Sequence, residues 1–390
     1  MDKSKLIVID DEVDLAGFVA DVAQQQNFDI EEFYSGRDFM NDYSKQADVI
    51  VLDIMMPDVD GIQLIRFLAG IDCNAQIILI SGFDSSVLHS ALKLAEEQGL
   101  NIVGCLNKPF RYDDLKELFN KLVITPKVVT ENELITSVTV EELEQAIFAD
   151  ELVTYYQPQI MLQGESYLAV EALVRWQHPV FGLIGPKNFI PMAEEYDLIN
   201  DLTWVVLNQV MTQCVLWHQQ DIDVQVAINM SAKTLQDLRL PEKLGDLVLQ
   251  YNLKTSQIVL EVTETALMQE LIKSLEILTR LRLKGFKLSI DDFGTGYSSL
   301  VQLNRIPFSE LKIDQSFVMN MENEREALAI VETVIVLGNK LGMKIVAEGV
   351  ETEASLDILK KLGCNIGQGF LISRPLASDD ITAWLKNNKK

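Results

Sequence analysis

The stretch LAVEALVRW, Leu168 to Trp176, has the composition of a buried β-strand and yet contains a carboxylate and a guanidinium. Apolar and β-branched residues fill it except at Glu171 and Arg175. Strand side chains alternate between faces, so Glu171, Leu173 and Arg175 share one face and Ala172, Val174 and Trp176 the other. Both charges therefore point the same way, either to pair inside the protein or to line a site. Seven further runs of similar character surround this one: TYYQPQI, VQVAINMS, IVLEVTETA, FKLSIDDF, ELKID, KIVAEGV and IGQGFLI. Helix-like stretches such as DLTWVVLNQVMTQCVLW and LIKSLEILTRLRLKG separate most of them. Eight such runs over about 250 residues match the usual size of an eight-fold β/α barrel.

Each run ends in, or is interrupted by, a polar residue in an apolar setting. In order these are Gln157, Glu171 with Arg175, Asn229, Glu261 with Glu264, Asp291 with Asp292, Lys312, Glu348 and Gln368. In a barrel, residues at the carboxyl ends of different strands meet around one mouth. Glu171 is then one wall of a shared site. Carboxylates and an amide oxygen are hard donors, with no histidine or cysteine among them, a set that suits Mg²⁺ or Mn²⁺ better than zinc. The adjacent pair Asp291–Asp292 can bridge two ions, the clamp used for in-line displacement at phosphorus. Lys312 and Arg175 offer positive charge to phosphate oxygens. Glu348 remains to take a proton from an attacking water.

The first 122 residues follow a different plan. KLIVID, FDIEEFY, DVIVLDI, QIILISG and IVGCLNKP read as five short strands, with helical stretches such as DLAGFVADVAQQ and DGIQLIRFLAG between them. Strands alternating with helices imply a parallel sheet covered on both faces. Polar residues again collect at strand ends: Asp10 and Asp11 after the first, Asp53 at the third, Ser81 at the fourth and Lys108 at the fifth. Any one of these is best read as a helix cap. Three carboxylates converging on one sheet edge call for a divalent cation among them. Between the two regions, residues 123–138 (VITPKVVTENELITSV) lack periodicity and read as a linker. Thr139 and Glu142 then have capping-box spacing at the start of a new helix.

Bulk composition narrows the choices. Among 390 residues, 58 acidic against 33 basic side chains give a net charge of −25, which argues against binding a nucleic-acid polymer. Four scattered cysteines suggest reduced thiols in a cytoplasmic protein. The first strand starts too near Met1 for a signal peptide, and no apolar run reaches membrane-spanning length, so no membrane association is expected.

The motifs EALVRW, EVTET, DDFGTGYSSL, LKID, AEGVE and GQGF together resemble the EAL family of cyclic-di-GMP phosphodiesterases over residues 139 to 390. The first 122 residues resemble the receiver domain of two-component response regulators. The whole order resembles two-domain receiver–EAL response regulators: a flavodoxin-like doubly wound α/β receiver followed by a TIM-like β/α barrel of EAL type. The resemblance implies a barrel whose first strand can run against the others, and cleavage of cyclic di-GMP to linear pGpG with two Mg²⁺ or Mn²⁺ ions. It implies Glu171, Asn229, Glu261, Asp291 and Asp292 as metal ligands, Lys312 near the attacking water and Glu348 as general base. Gln157, Arg175 and Gln368 match substrate contacts, Glu351 adds a further candidate, and Glu264 matches the anchor of the loop Asp292 to Ser299. In the receiver it implies Asp53 as phosphoacceptor from a histidine kinase, and Asp10 and Asp11 as holders of one Mg²⁺. Ser81 and Lys108 would contact the phosphoryl group. The family's usual aromatic three positions before the lysine is replaced by Cys105, which predicts an output route other than aromatic rotation. A homo-oligomer, dimer or tetramer, is implied through helices around SFVMNMENEREALAIVETV. A catalytically dead EAL receptor should have lost Glu171, an aspartate of the pair or Glu348, and none is missing. No GGDEF-like run points to a cyclase, and His178 in RWQHP reads as a structural hydrogen-bonder.

Overall fold

The computed structural model describes residues 4–43, 47–71, 73–82, 85–122, 138–163, 168–269, 271–294, 303 and 305–388. The expected linker therefore lies outside the described residues up to position 137. The chain divides into two compact units, Met1–Val128 and Val129–Lys390.

In the first unit, β1 (Lys5–Ile9), β2 (Asp29–Phe33), β3 (Val49–Asp53), β4 (Gln76–Ser81) and β5 (Asn101–Asn107) form one sheet. All neighbours pair in parallel, in the order β2-β1-β3-β4-β5. Alternation explains its two cores. Ile7, Ile9, Ile50 and Leu52 pack on one face with Phe39 and Leu64. Leu6, Val8, Val49 and Val51 pack on the other with Val19, Leu115 and Phe119. A strand covered on both sides has no polar face to show, so β3 is buried throughout. The order reverses between β1 and β3, and such a switch point opens a crevice at the carboxyl ends of the strands. Asp10 follows β1 there, and Asp53 closes β3.

The second unit begins with the helix Val140–Phe148, whose Thr139 cap is reciprocal. Glu142 N–H donates to Thr139 Oγ1 (3.2 Å), and Thr139 N–H donates to Glu142 Oε2 (2.8 Å). Among the described residues nine strands follow: β6 (Leu152–Met161), β7 (Leu168–His178), β8 (Gly182–Ile184), β9 (Gln225–Met230), β10 (Ile258–Thr263), β11 (Lys287–Phe293), β12 (Glu310–Ile313), β13 (Lys344–Ala347) and β14 (Ile366–Gly367). The sheet runs β6-β14-β13-β12-β11-β10-β9-β7-β8, and the pairing of β6 with β7 closes it into a barrel. Short β8 hangs on β7 outside the ring, leaving eight barrel strands. β6 is antiparallel to both of its neighbours, whereas the other seven run in parallel. Only residues 162–167 join β6 to β7, and a parallel crossover needs about a dozen or more residues.

β7 outlasts the ring. It pairs with β9 only over Ala169–Ala172, then continues to His178 between β6 and β8. Glu171 therefore stands at the barrel rim although it is in the middle of its strand. His178 is buried, and its Nδ1 accepts the backbone N–H groups of Val180 (3.1 Å) and Phe181 (3.2 Å), which fixes the β7–β8 turn.

Candidate functional site

The centre of the barrel mouth is the ammonium of Lys312, on β12, with its side chain only 1% exposed. Its Nζ lies 2.6 Å from Glu348 Oε1, 3.0 Å from Glu261 Oε2, 3.2 Å from Asp291 Oδ1 and 3.5 Å from Glu171 Oε2. Burial opposes the charged form of this lysine, but the four carboxylates outweigh it and hold its pKa well above the ordinary value. The residues belong to β7, β10 and β11 and to the turn after β13. Inward-facing positions of neighbouring strands converge on one level, and that brings distant carboxylates together.

Amides sort the carboxylates. Glu171 is buried, but Asn229 Nδ2 donates to its Oε1 (2.9 Å) and Gln368 Nε2 to its Oε2 (2.6 Å). Burial pushes its pKa up, while Lys312 and these donors outweigh that and leave it below the usual range. Glu261 is equally buried and is crowded by Glu171, Asp291 and Glu348, so its pKa is held well above normal despite Lys312. Burial, Asp291 and Asp314 push Asp292 up to about 6, and burial with Asp291 and Glu171 pushes Glu348 up to about 8. Carboxylates that resist ionisation in one another's presence are a site short of positive charge.

The donor set fits a hard cation. Carboxylate oxygens of Asp291, Asp292 and Glu348 lie within 4.8 Å of one another. The turn there is built on left-handed backbone, with φ +54° at Asp292 and +103° at Gly294. Buried Glu264 accepts the Gly294 N–H at 3.3 Å. Residues 295–299 of the loop Glu264 was expected to anchor lie outside the described residues.

Gln157 is buried on β6, opposite Glu171 in register. Its Oε1 accepts from Gln368 Nε2 (3.0 Å), and its own Nε2 donates to the Ser373 carbonyl (3.1 Å). Glu351 lines the same cleft as Gln157, Glu171, Asp291 and Glu348. Arg175 is half-buried, donates from Nη1 to the Val174 carbonyl (2.8 Å) and feels the charge of Glu171, its neighbour on the same strand face. Gln159 was missed by the sequence reading, yet it is buried and donates to Gln368 Oε1 at 2.8 Å. Its position two residues beyond Gln157 on the same strand was the available signal. Beside the cluster, an apolar cavity of about 490 Å³ is lined by Leu173, Pro186, Ile190, Asn229 and Ala266 among others.

The first unit holds a smaller cluster of the same kind. Lys108 Nζ lies 2.8 Å from Asp53 Oδ2, 2.9 Å from Glu12 Oε1 and 3.0 Å from Asp10 Oδ2. Asp10, Glu12 and Asp53 place carboxylate oxygens within 4.8 Å of one another. Sequence reading put Asp11 in this position. The backbone turns because Glu12 N–H donates to Asp10 Oδ1 (2.9 Å), which brings Glu12 back over the cluster. Asp11 is not part of that group, although its charge joins burial in raising Asp53. Buried Asp10 pairs its Oδ2 with Lys108 Nζ at 3.0 Å while its carboxylate also faces those of Glu12 and Asp53, a grouping suited to a cation. Ser81 is fully buried at the end of β4, its carbonyl accepting the Lys108 N–H at 2.7 Å, and Cys105 is exposed.

The family profile named EAL domain matches residues 140–375. The chain belongs to the EAL family. A response regulator receiver domain profile matches residues 6–120. The cyclic di-GMP phosphodiesterase RocR of Pseudomonas aeruginosa is 32% identical over 334 residues, 85% of this chain and 84% of that protein. The bifunctional diguanylate cyclase/cyclic di-GMP phosphodiesterase MucR of the same organism is 42% identical over 243 residues, 62% of this chain but only 36% of that protein. A solved structure described as the PaMucR phosphodiesterase in complex with c-di-GMP superposes with a TM-score of 0.60 at 42% identity, covering 62% of this chain and 98% of that one. No helix among the described residues is long and apolar enough to cross a membrane.

Proposed function

We propose that this chain is a cyclic-di-GMP phosphodiesterase that hydrolyses one phosphodiester bond to give linear pGpG, with the receiver unit as its regulator. The observation that carries this reading is the cluster around Lys312, in which Asp291, Asp292 and Glu348 converge within 4.8 Å. Relatives named as cyclic di-GMP phosphodiesterases support the substrate class.

Glu171, Asn229, Glu261, Asp291 and Asp292 would hold two Mg²⁺ or Mn²⁺ ions. When bound, such ions supply Lewis acidity and lower the pKa of a coordinated water. The protein's own residues then have separable tasks. Glu348 takes the proton from the attacking water, a role suited to a carboxyl held above its usual range. Lys312 keeps its proton and neutralises charge building on the phosphoryl oxygens. Gln157 and Gln368 fix the orientation of Glu171 and of the cleft wall, while Arg175 and Glu351 contact the substrate from the rim. Asp53 accepts a phosphoryl group from a histidine kinase, with Lys108 and Ser81 contacting it and Asp10, Asp11 and Glu12 around one Mg²⁺. Association through the helices around residues 316–334 would carry the receiver's state to the loop that follows Asp292.

The test is turnover of cyclic di-GMP by the full chain, followed by separation of pGpG. Activity is expected with Mg²⁺ or Mn²⁺ and none in excess chelator. Calcium should inhibit, because its larger and looser coordination misplaces the water. Full turnover in chelator would overturn the two-metal reading.

A further inference from the structure

Inward-facing positions of a β/α barrel are dominated by branched apolar residues stacked in layers, so a polar layer below the mouth needs a reason. One register row of this barrel is polar across five strands. Asn229 pairs with Glu261, Glu261 with Ser289, Ser289 with Glu310 and Glu310 with Lys344. Barrel strands are staggered, and the row therefore descends from the site to the first residue of β13, on the barrel floor. Ser289 lies two positions before Asp291 and Glu310 two before Lys312, so both face inward with them. The alternate positions Leu288, Ile290, Leu311 and Ile313 belong to the apolar core instead.

The middle of this row lacks partners. Ser289 is 0% exposed and Glu310 3%. Among the described residues, neither Ser289 Oγ nor Glu310 Oε1 has a hydrogen-bond partner. The one further side-chain atom of this kind described in the barrel unit is Arg282 Nε, on the helix Leu271–Leu283 that leads into β11. The charges of Arg282, Glu310 and Lys344 all act on Lys287, which places these groups around the same floor. A buried polar atom that finds no partner in the protein is costly, and an internal water is the usual remedy.

The surroundings decide what fits there. Lys287 and Gln225 open β11 and β9, and Lys287 Nζ donates to Gln225 Oε1 at 2.7 Å, bounding the layer from below. Lys312 bounds it from above. The charges of Lys287, Lys344 and Lys312 all act on Glu310, yet its Oε1 accepts from none of them. Three ammonium groups repel a cation, and the Glu310 carboxylate opposes an anion. A neutral molecule that both donates and accepts satisfies a hydroxyl and a carboxylate oxygen together.

We propose that the barrel interior holds an enclosed water site between Ser289 Oγ and Glu310 Oε1, beneath the Lys312 cluster and above the Lys287–Gln225 pair. The water donates to Glu310 Oε1 and accepts from the Ser289 hydroxyl, bridging the middle of the polar row. This site is separate from the mouth and does not rest on the phosphodiesterase reading.

The test is a crystal structure of the full chain beside those of Ser289→Ala and Glu310→Gln. The wild type should show an ordered water within hydrogen-bonding distance of both atoms. Glu310→Gln should retain it, because an amide oxygen also accepts. In solution, Ser289→Ala should lower the Tm of the barrel transition by about 2–4 °C, the shift expected for one buried hydrogen bond in a domain of this size. Removing a hydroxyl from a dry layer would instead leave Tm unchanged or raise it. That result, wild-type density without a water there, or a direct contact of Glu310 Oε1 with Lys287 or Lys344 would overturn the inference.

Discussion

Lys108 and Lys312 are two versions of one device, an ammonium held among carboxylates at the carboxyl ends of parallel strands. Their surroundings differ. Lys108 sits in the crevice of an open sheet, 15% exposed, and its partner Glu12 is 63% exposed. Lys312 sits inside a closed ring, 1% exposed, and three of its four partners, Glu171, Glu261 and Asp291, are at most 10% exposed. An open sheet has a rim on one side only, so its cluster stays within reach of solvent, as the exposure of Glu12 shows. A barrel surrounds its cluster with eight strand ends, which suits a small substrate that must be taken out of water. In both, burial and like charge push carboxyls up, as at Asp10 and Asp53 in one and Glu261 and Glu348 in the other. Closure adds amide donors, which join the Lys312 charge in holding Glu171 below the usual carboxylate range.

The sharpest separation of the two sites should come from Glu348→Gln. It removes a proton acceptor and keeps the shape of the cleft, so kcat should fall by about 10²–10⁴-fold with cyclic di-GMP still bound. Near-normal kcat would move the proton-accepting role to another residue. The receiver has no equivalent, since Asp53 is there expected to act as the nucleophile.

Burial depth is tested by removing each ammonium in turn. Lys312→Met strands several buried carboxylates and should destabilise the barrel unit by about 3–5 kcal/mol in chelator. Lys108→Met should cost its unit less, because water reaches Glu12 and the crevice. Denaturant titration of the full chain reads both, and equal losses would show that exposure does not distinguish the clusters.

Coupling between the units should be smaller again. Beryllium fluoride with Mg²⁺ should change wild-type turnover by about 5–150-fold, the usual range for an allosteric coupling of about 1–3 kcal/mol, and leave Asp53→Asn unaffected. Identical responses from both proteins would show that this receiver does not act through Asp53.

The smallest effect concerns a carboxylate without such compensation. Glu310, at the start of β12, is buried with no hydrogen-bond partner on Oε1. Burial raises its pKa, and Lys287 and Lys344 pull it part of the way back. A pKa raised by folding means that ionisation opposes the folded state. That penalty is absent below roughly pH 4.3, where the group is protonated in both states, and grows as pH rises through the folded value. Glu310→Gln should therefore gain in Tm over wild type between pH 4 and pH 8. A difference that stays flat with pH would assign Glu310 an unshifted carboxyl.

Much of both sites could be read along the chain because strand periodicity is local. Alternation in LAVEALVRW put Glu171 and Arg175 on one face, and the recurrence of polar residues at strand ends pointed to a shared mouth. A repeat of apolar strands and helices also specifies a parallel α/β sheet, since no other layering buries such strands on both sides. Register across strands is another matter, because it depends on partners far away in sequence. Gln368 meets Glu171 across 197 positions and Lys312 meets Glu261 across 51, and no local pattern states those distances. The same limit explains why Glu12 rather than Asp11 faces Lys108, since one backbone hydrogen bond to Asp10 sets that turn. It also explains Arg175, which has the right face but lies beyond the level where β7 leaves the ring. Residue types and spacing determined which chemistry the chain could hold. Closure of the barrel decided which of those groups meet, because only the packed strands fix distances of a few ångströms between residues hundreds of positions apart.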